Sequence, residues 1–405
     1  MRTMRATLVV VVLLLVPAVA GGVVPGPDPR PAATTGGEDA PINRIAHLTL
    51  GEESSEGITN QSVDVAAAVS VGRDDAGARL ADYALAERLN RTNRTNAELD
   101  ARLEEIESRM NLLGIDARAV RTEYADGSAG PSEFVHESAH IQARAVRLDD
   151  RLSRLEGLAE RYGNATHRAK IDRLEERLIG HAGPVRRRAL AAIAGRRASI
   201  DLYAAGSDAG VVFATIAGSM HVRDAYRADR KSYAPDGISV GEADQRLTDE
   251  LYAVAFGFSG RFSIAPINGD NTTYRFEKSL PFGSLLAYLD SGTEEVFHEV
   301  QRRDLEALDQ PASVITVENG TRLIVNRSYT GGPLRIATRD ADGGAATEST
   351  IRVGDRRLET GADGEVWTLM PPGSSVEVTA TTPDGIVTAT VEPLTLTPVN
   401  GSSGS

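Results

Sequence analysis

Apolar positions recur with a 4,3 spacing from about residue 78 to residue 125. Leu85, Leu89, Thr92, Asn96, Leu99, Leu103, Ile106, Met110, Leu113, Ala117, Val120 and Tyr124 hold that spacing without a slip. The pattern predicts one long helix that packs against a partner along a heptad seam. At ~1.5 Å per residue it would run about 70 Å. Glu98 with Arg102, and Glu105 with Arg109, stand at i,i+4 in the favourable order. Thr92 and Asn96 are polar seam positions, which weaken packing but set register. The run Ala125-Asp126-Gly127-Ser128-Ala129-Gly130 stops the helix, and Pro131 with Glu133 suits a new start. The seam resumes at Phe134, Ser138, Ile141, Ala145, Leu148, Leu152, Leu155, Ala159 and Tyr162. Matched seams across a short loop predict an antiparallel helical hairpin of about 50 and 33 residues. A third helix presents Ile171, Leu174 and Leu178 inward and ends near Gly180.

The period changes after residue 183. A short helix at 184–194 precedes strands at 199–204, 211–217 and 221–226. A helix at 242–255 precedes strands at 273–276, 285–289 and 295–300. A helix followed by an antiparallel hairpin thus occurs twice. From 312 to 397 short alternating runs lie between turn signals such as Asn319-Gly320, Asp363-Gly364 and Pro383-Asp384-Gly385. About seven strands at this spacing predict a small sandwich. The fold class is multidomain α+β: a long coiled-coil-like hairpin, a middle domain with an antiparallel sheet, and a small C-terminal β-sandwich. The expected division is 1–20 signal peptide, 21–45 linker, 46–182 helical hairpin, 183–308 α+β domain, 309–397 sandwich and 398–405 tail.

Arg2 and Arg5 precede an apolar run at 8–16, and Ala18-Val19-Ala20 is a cleavage pattern. Cleavage after about Ala20 is the expectation; an uncleaved anchor over residues 6–24 is the alternative. Eight of the twelve asparagines begin N-x-Ser/Thr sequons, at Asn60, Asn90, Asn93, Asn164, Asn271, Asn319, Asn326 and Asn400. Chance would supply about two, so the chain is expected to meet an N-glycosylation machinery outside the membrane. No cysteine is available for a disulfide. The net charge is −13, with 41 Arg and 3 Lys. Low Lys with abundant Asp and Glu resembles proteins of halophilic archaea. The acidity argues against a nucleic-acid partner.

Three stretches resemble known families. Residues 64–121, with 124–134 and Gly183-Pro184-Val185-Arg186, resemble exported haloarchaeal surface proteins of unassigned activity with a helical N-terminal half. Leu286-Ala287-Tyr288-Leu289-Asp290-Ser291-Gly292-Thr293-Glu294-Glu295-Val296-Phe297 resembles the closing hairpin of PepSY-type modules, and Glu294 stands where such hairpins carry Gly. Residues 358–373 with 376–381 are similar to carboxypeptidase-regulatory-like sandwich modules. None of these resemblances implies catalytic residues. Together they imply a cell-surface protein built from spacing and binding modules.

His136-Glu137-Ser138-Ala139-His140 is an H-E-x-x-H on a predicted helix. In zincins both histidines hold zinc and the glutamate is the general base. Here the register turns Phe134, Ser138 and Ile141 to the seam, and His136 and His140 to solvent near the hairpin tip. Ala143 and Val146 replace the glycine and third histidine of the metzincin continuation. Glu156 and Glu160 lie farther along the same helix, ~24 Å or more away. The expectation is therefore a non-enzymatic spacer or interaction protein at the cell surface, with no cofactor. Its expected partners are envelope or secreted proteins, or its own copy through the heptad faces. A secreted zinc metallopeptidase using Glu137, His136 and His140, or a PepSY-type peptidase inhibitor, is the alternative. The acidic pairs Asp149-Asp150 and Glu175-Glu176, and the run Arg186-Arg187-Arg188, read as surface charges.

The charge balance makes one prediction. At about 1 M salt the Debye length is ~3 Å and self-repulsion of the acidic surface is screened. Thermal melts followed by circular dichroism should rise steadily from 0.2 M to 3 M KCl; a melting temperature that does not change with salt removes the halophilic reading.

Overall fold

The computed structural model describes residues 44–399 apart from 52–53, 70–71, 73–76, 78–79, 81–82, 84–86, 88–94, 233–236, 268–271, 309–313, 341 and 347–348. The expected signal segment, most of the linker, residues 400–405 of the tail, the seam residues Leu85, Leu89 and Thr92, and Asn90, Asn93, Asn271 and Asn400 lie outside the described residues.

The heptad seam closes as α1, Thr95–Ala125, against α2, Pro131–Tyr162. Leu99, Leu103, Ile106, Met110, Leu113 and Ala117 bury against Ile141, Ala145, Leu148, Leu152, Leu155 and Ala159. Each fully buried leucine contributes about 2 kcal/mol. Helix α3, Ala165–Leu178, adds Ile171, Leu174 and Leu178 to the same core. Asn164 caps it: its side chain accepts from the His167 N–H at 3.1 Å, and the His167 ring accepts from the Asn164 N–H at 3.2 Å. Asn96, expected in the seam, is exposed, because α2 runs out opposite that end. The loop end of the hairpin is not a free tip. Tyr124 and Phe134 stack at 4.1 Å there, and the Tyr124 hydroxyl donates to the Ala204 carbonyl at 3.2 Å.

Ala204 belongs to the middle sheet. Its strands are β1 Ser55–Gln61, β2 Ile200–Ser207, β3 Gly210–Ala217, β4 Met220–Arg227, β5 Phe262–Pro266, β6 Thr273–Leu280, β7 Gly283–Asp290 and β8 Glu295–Asp304. They form one eight-stranded sheet in the order β1-β2-β3-β4-β8-β7-β6-β5, with every pairing antiparallel. The sequence pattern did not show β1 or β5. Two meanders, β2–β4 and β6–β8, meet through their last strands. Each follows a helical stretch: α4, Pro184–Ile193, before the first, and α5, Val240–Gln245, before the second. The helix expected over 242–255 is broken into α5, a π turn at Arg246–Leu251 and α6, Ala253–Phe256. Helix α4 packs Val185, Ala189 and Ile193 onto Leu202, Val211, Phe213 and Val222. The α5–α6 stretch packs Leu247, Leu251 and Tyr252 onto Val212, Ala225, Leu285 and Leu289 across the other face.

Alternation along the two central strands buries charge on both faces. Toward α5–α6 point His221, Arg223, Glu299, Gln301 and Arg303. Asp224, His298 and Arg302 point toward α4. Arg223 and Glu299 form an ion pair at 3.1 Å, both fully buried. The pair also holds the backbone of segment 45–50: Arg223 donates to the Leu48 carbonyl at 2.7 Å and Glu299 accepts from the Leu48 N–H at 3.1 Å. Gln301 donates to the Ala46 carbonyl at 2.9 Å. Burial raises the Glu299 carboxyl, against the pull of Arg223 and the Tyr252 hydroxyl.

The C-terminal sandwich has eight strands, one more than expected: β9 Val314–Glu318, β10 Thr321–Asn326, β11 Pro333–Arg339, β12 Thr350–Val353, β13 Arg356–Glu359, β14 Glu365–Leu369, β15 Val376–Thr382 and β16 Gly385–Val391. They form two four-stranded sheets, β14-β11-β10-β9 and β13-β12-β15-β16. Leu323, Leu334, Ile336, Ile351, Val378 and Val387 fill the space between them. Trp367 packs on the middle sheet with Leu369 and Val399 rather than in this core, because β14 borders the junction. His221 donates to the Gly331 carbonyl at 3.0 Å. Tyr329 packs edge-on against His47 at 4.7 Å, and Arg303 lies 5.4 Å over its ring. Segment 45–50 thus runs between the middle sheet and the sandwich, and His47 also bonds to the backbone of Thr397 and Val399.

Two predictions follow from this arrangement. Glu294, in the β7–β8 turn, has φ of +57°. A left-handed conformation costs a non-glycine residue about 1–2 kcal/mol. Glu294→Gly should raise the unfolding free energy by up to about 1 kcal/mol in urea titrations, after the entropy of the freer unfolded chain is subtracted. A loss of stability would mean the turn carries no such cost.

The second concerns acid. Burial, partly offset by the bond to Gly331, pushes His221 down to about 3. Burial and then Arg303 lower His47. The unfolded chain takes up these protons near pH 6.5 while the folded chain does not. Stability is therefore complete above pH 6.5 and is lost as pH falls from there toward 3, by about 1.4 kcal/mol per unit for each histidine. Urea midpoints between pH 7 and pH 5 should fall accordingly, and His221→Gln should flatten the slope. A flat profile in the wild-type chain would show that these histidines are protonated in the fold.

Candidate functional site

The H-E-x-x-H lies in the second turn of α2, where the docked loop end of the hairpin crosses β1. His136 and His140 are half-buried, not projecting into solvent as the seam register suggested. Their rings meet edge-on at 4.7 Å. His136 Nε2 is 3.3 Å from Asp64 Oδ2, and its Nδ1 is 3.5 Å from Glu137 Oε1. Asp64 has a local task as well: it accepts from the Ala67 N–H at 3.0 Å and caps the helical turn at 65–69. That N–H and the nearby His136 hold the Asp64 carboxyl below its ordinary range. Burial and then His136 lower His140. Among the described residues no group of three or more His, Asp or Glu is placed to hold a metal ion. A zincin needs three protein ligands within about 2.3 Å of the metal. The motif supplies two facing rings and one capping carboxylate that do not converge on one point.

Four sequons can be placed. Asn60 on β1 is exposed and donates to Asp201 at 2.8 Å. Asn164 is the exposed cap of α3. Asn319, at φ +50°, tips the β9–β10 turn and donates to the Ile386 carbonyl at 2.9 Å. Asn326 is 2% exposed and Ser328 is 1% exposed, so the folded sandwich has no room for a glycan there.

A cavity of about 300 Å³ opens between the hairpin and the middle sheet. It is lined by Asp149 of α2, Glu175 of α3, Arg187 of α4 and Arg302 of β8, together with Tyr288 of β7 and His298 of β8. His298 is 4% exposed and stacks on Tyr288 at 5.4 Å. Its Nε2–H donates to Asp224 Oδ1 at 3.0 Å, and its buried Nδ1 has no hydrogen-bond partner. Burial raises Asp224, yet Arg186 and His298 outweigh it and hold the carboxyl low. Gly183 is required beside it, since a Cβ there would come within 1.6 Å of Asp224 Oδ2. Burial first, then the charges of Glu156, Asp149 and Asp172, push Glu175 up to about 7.

Two surface readings are corrected here. Arg186 is buried: it donates to the Gly180 carbonyl at 3.0 Å and lies 3.6 Å from Asp224. Glu176 is buried too, paired with Lys231 and Thr273. Helical geometry separates each from its neighbour by about 100°, which leaves Arg187 and Glu175 for the cavity. His298 and Asp224 escaped the sequence reading because no fixed spacing joins them. The one available signal was charge within predicted strands.

Comparison with known protein families divides the chain in three. Residues 1–198 match a domain of unknown function (DUF7096), and residues 202–309 match a family of unknown function (DUF7094). Residues 312–389 match the archaeal fibronectin-III type-like domain. The last match and the carboxypeptidase-regulatory-like resemblance agree on a sandwich and differ on which kind. No curated protein matches the chain. The chain thus joins two domains of unknown function to an archaeal fibronectin-III type-like C-terminal domain.

Proposed function

We propose that this is an exported, N-glycosylated surface protein of a halophilic archaeon that acts as a spacer and protein-interaction module, with no chemistry of its own. The observation that carries the reading is the C-terminal match to an archaeal fibronectin-III type-like sandwich, fastened to a rigid helical arm through the middle sheet. Sequon density and the N-terminal apolar run support the surface location. Leu80 and Tyr83, on helical residues N-terminal to α1, are 71% and 77% exposed. They are exposed apolar side chains against which a second copy or an envelope protein could pack.

Expression in a halophilic archaeon, followed by cell fractionation and glycopeptide mass spectrometry, tests the reading. The chain should appear in the surface or secreted fraction, with glycan on Asn60, Asn164 or Asn319 and none on Asn326. A cytoplasmic, unmodified chain would overturn the location. Peptide turnover that is lost in Glu137→Gln would overturn the non-enzymatic part and favour the metallopeptidase.

A further inference from the structure

The cavity between the hairpin and the middle sheet has charges of both signs and a buried imidazole nitrogen with no partner. Asp149 and Glu175 make no ion pair within 4 Å among the described residues, and neither do Arg187 or Arg302. Burial first, and then Glu156, Asp149 and Asp172, raise the Glu175 carboxyl, while Arg187 offsets part of the rise at Asp149. Asp149 and Arg187 are exposed and meet water, whereas His298 Nδ1 is buried without a partner. A buried polar atom left unsatisfied is the mark of a missing partner.

Charge narrows what that partner can be. A bare cation would satisfy Asp149 and Glu175 but would stand in the same cavity as two guanidiniums. A phosphate or simple carboxylate would satisfy the guanidiniums and face two carboxylates. Only a ligand with both signs meets both sets of charges. The unpartnered His298 Nδ1 offers the ligand one further polar contact. The lining offers the Tyr288 ring, together with Leu286 and Val300, to an apolar part. A volume of about 300 Å³ lies at the small end of ligand sites.

We propose that this cavity binds a small zwitterion, a free amino acid or a molecule of that size, with a primary ammonium and a carboxylate. The ammonium donates to Asp149 and Glu175. The carboxylate accepts from Arg187 and Arg302, where guanidinium geometry favours a planar carboxylate. The site is independent of the surface reading above, and either can fail without the other.

The test uses the full chain in high salt. Thermal melts are recorded with each of the twenty free amino acids at 10 mM. Titration calorimetry follows for the one with the largest shift, alongside its amide and its N-acetyl derivative. At least one amino acid should raise the melting temperature, and each blocked derivative should bind at least tenfold more weakly. Glu175→Gln and Arg187→Gln should each weaken binding at least tenfold while the ligand-free melting temperature stays within a few degrees. Arg187 is exposed, so its variant tests binding even if the Glu175 variant alters the fold. Three results overturn the proposal: no shift from any amino acid, equal binding of a blocked derivative, or saturation of the carboxylates by calcium or magnesium alone.

Discussion

Two adjacent strands at the centre of the sheet carry charges on both faces, and the units on either side are fastened to those charges. On one face Arg223 and Glu299 hold Leu48 through its N–H and its carbonyl. On the other, Asp224 holds His298 and Arg186, and through Arg186 the turn at Gly180. Taking such groups out of water costs several kcal/mol for each ion, and their attraction offsets it only when every bond is made. Apolar residues in the same places could be as stable. What charge adds is register. A slip of one residue between β4 and β8 would send Arg223 toward α4 and Asp224 toward segment 45–50, and each would lose its partners.

That same device removes the apolar signal from these strands. A strand buried on both faces normally reads as a continuous run of Val, Ile and Leu. Here β4 reads His-Val-Arg-Asp-Ala-Tyr and β8 reads Phe-His-Glu-Val-Gln-Arg-Arg. Their positions were legible only from the turns that bound them. The helical hairpin was legible in detail, because its core is purely apolar and its period is unbroken from Leu99 to Ala159. β1 was not, since its partner β2 lies beyond the whole hairpin in sequence and only tertiary contact makes it a strand.

The H-E-x-x-H shows the limit from the other side. Helical spacing correctly put His136 and His140 within reach of each other. It could not foresee that β1 and the cap at Asp64 would cover that turn of α2, because the covering segment comes from some seventy residues earlier in the chain. A local pattern predicts which side chains share a face. It says nothing about what arrives to cover that face.

The cavity reverses the lesson. Its residues come from α2, α3, α4, β7 and β8, and no short pattern links them. Yet Asp149, Glu175 and Arg187 were each visible in a like-charged run of the sequence. On a helix, neighbours point about 100° apart, so one member of a pair can be buried and matched while the other is not. Glu176 takes Lys231 and Arg186 takes Asp224. Glu175 and Arg187 are left facing a space that neither the hairpin nor the sheet fills. A like-charged pair on an amphipathic helix is therefore two separate questions, and the unmatched member is the one that asks for a ligand.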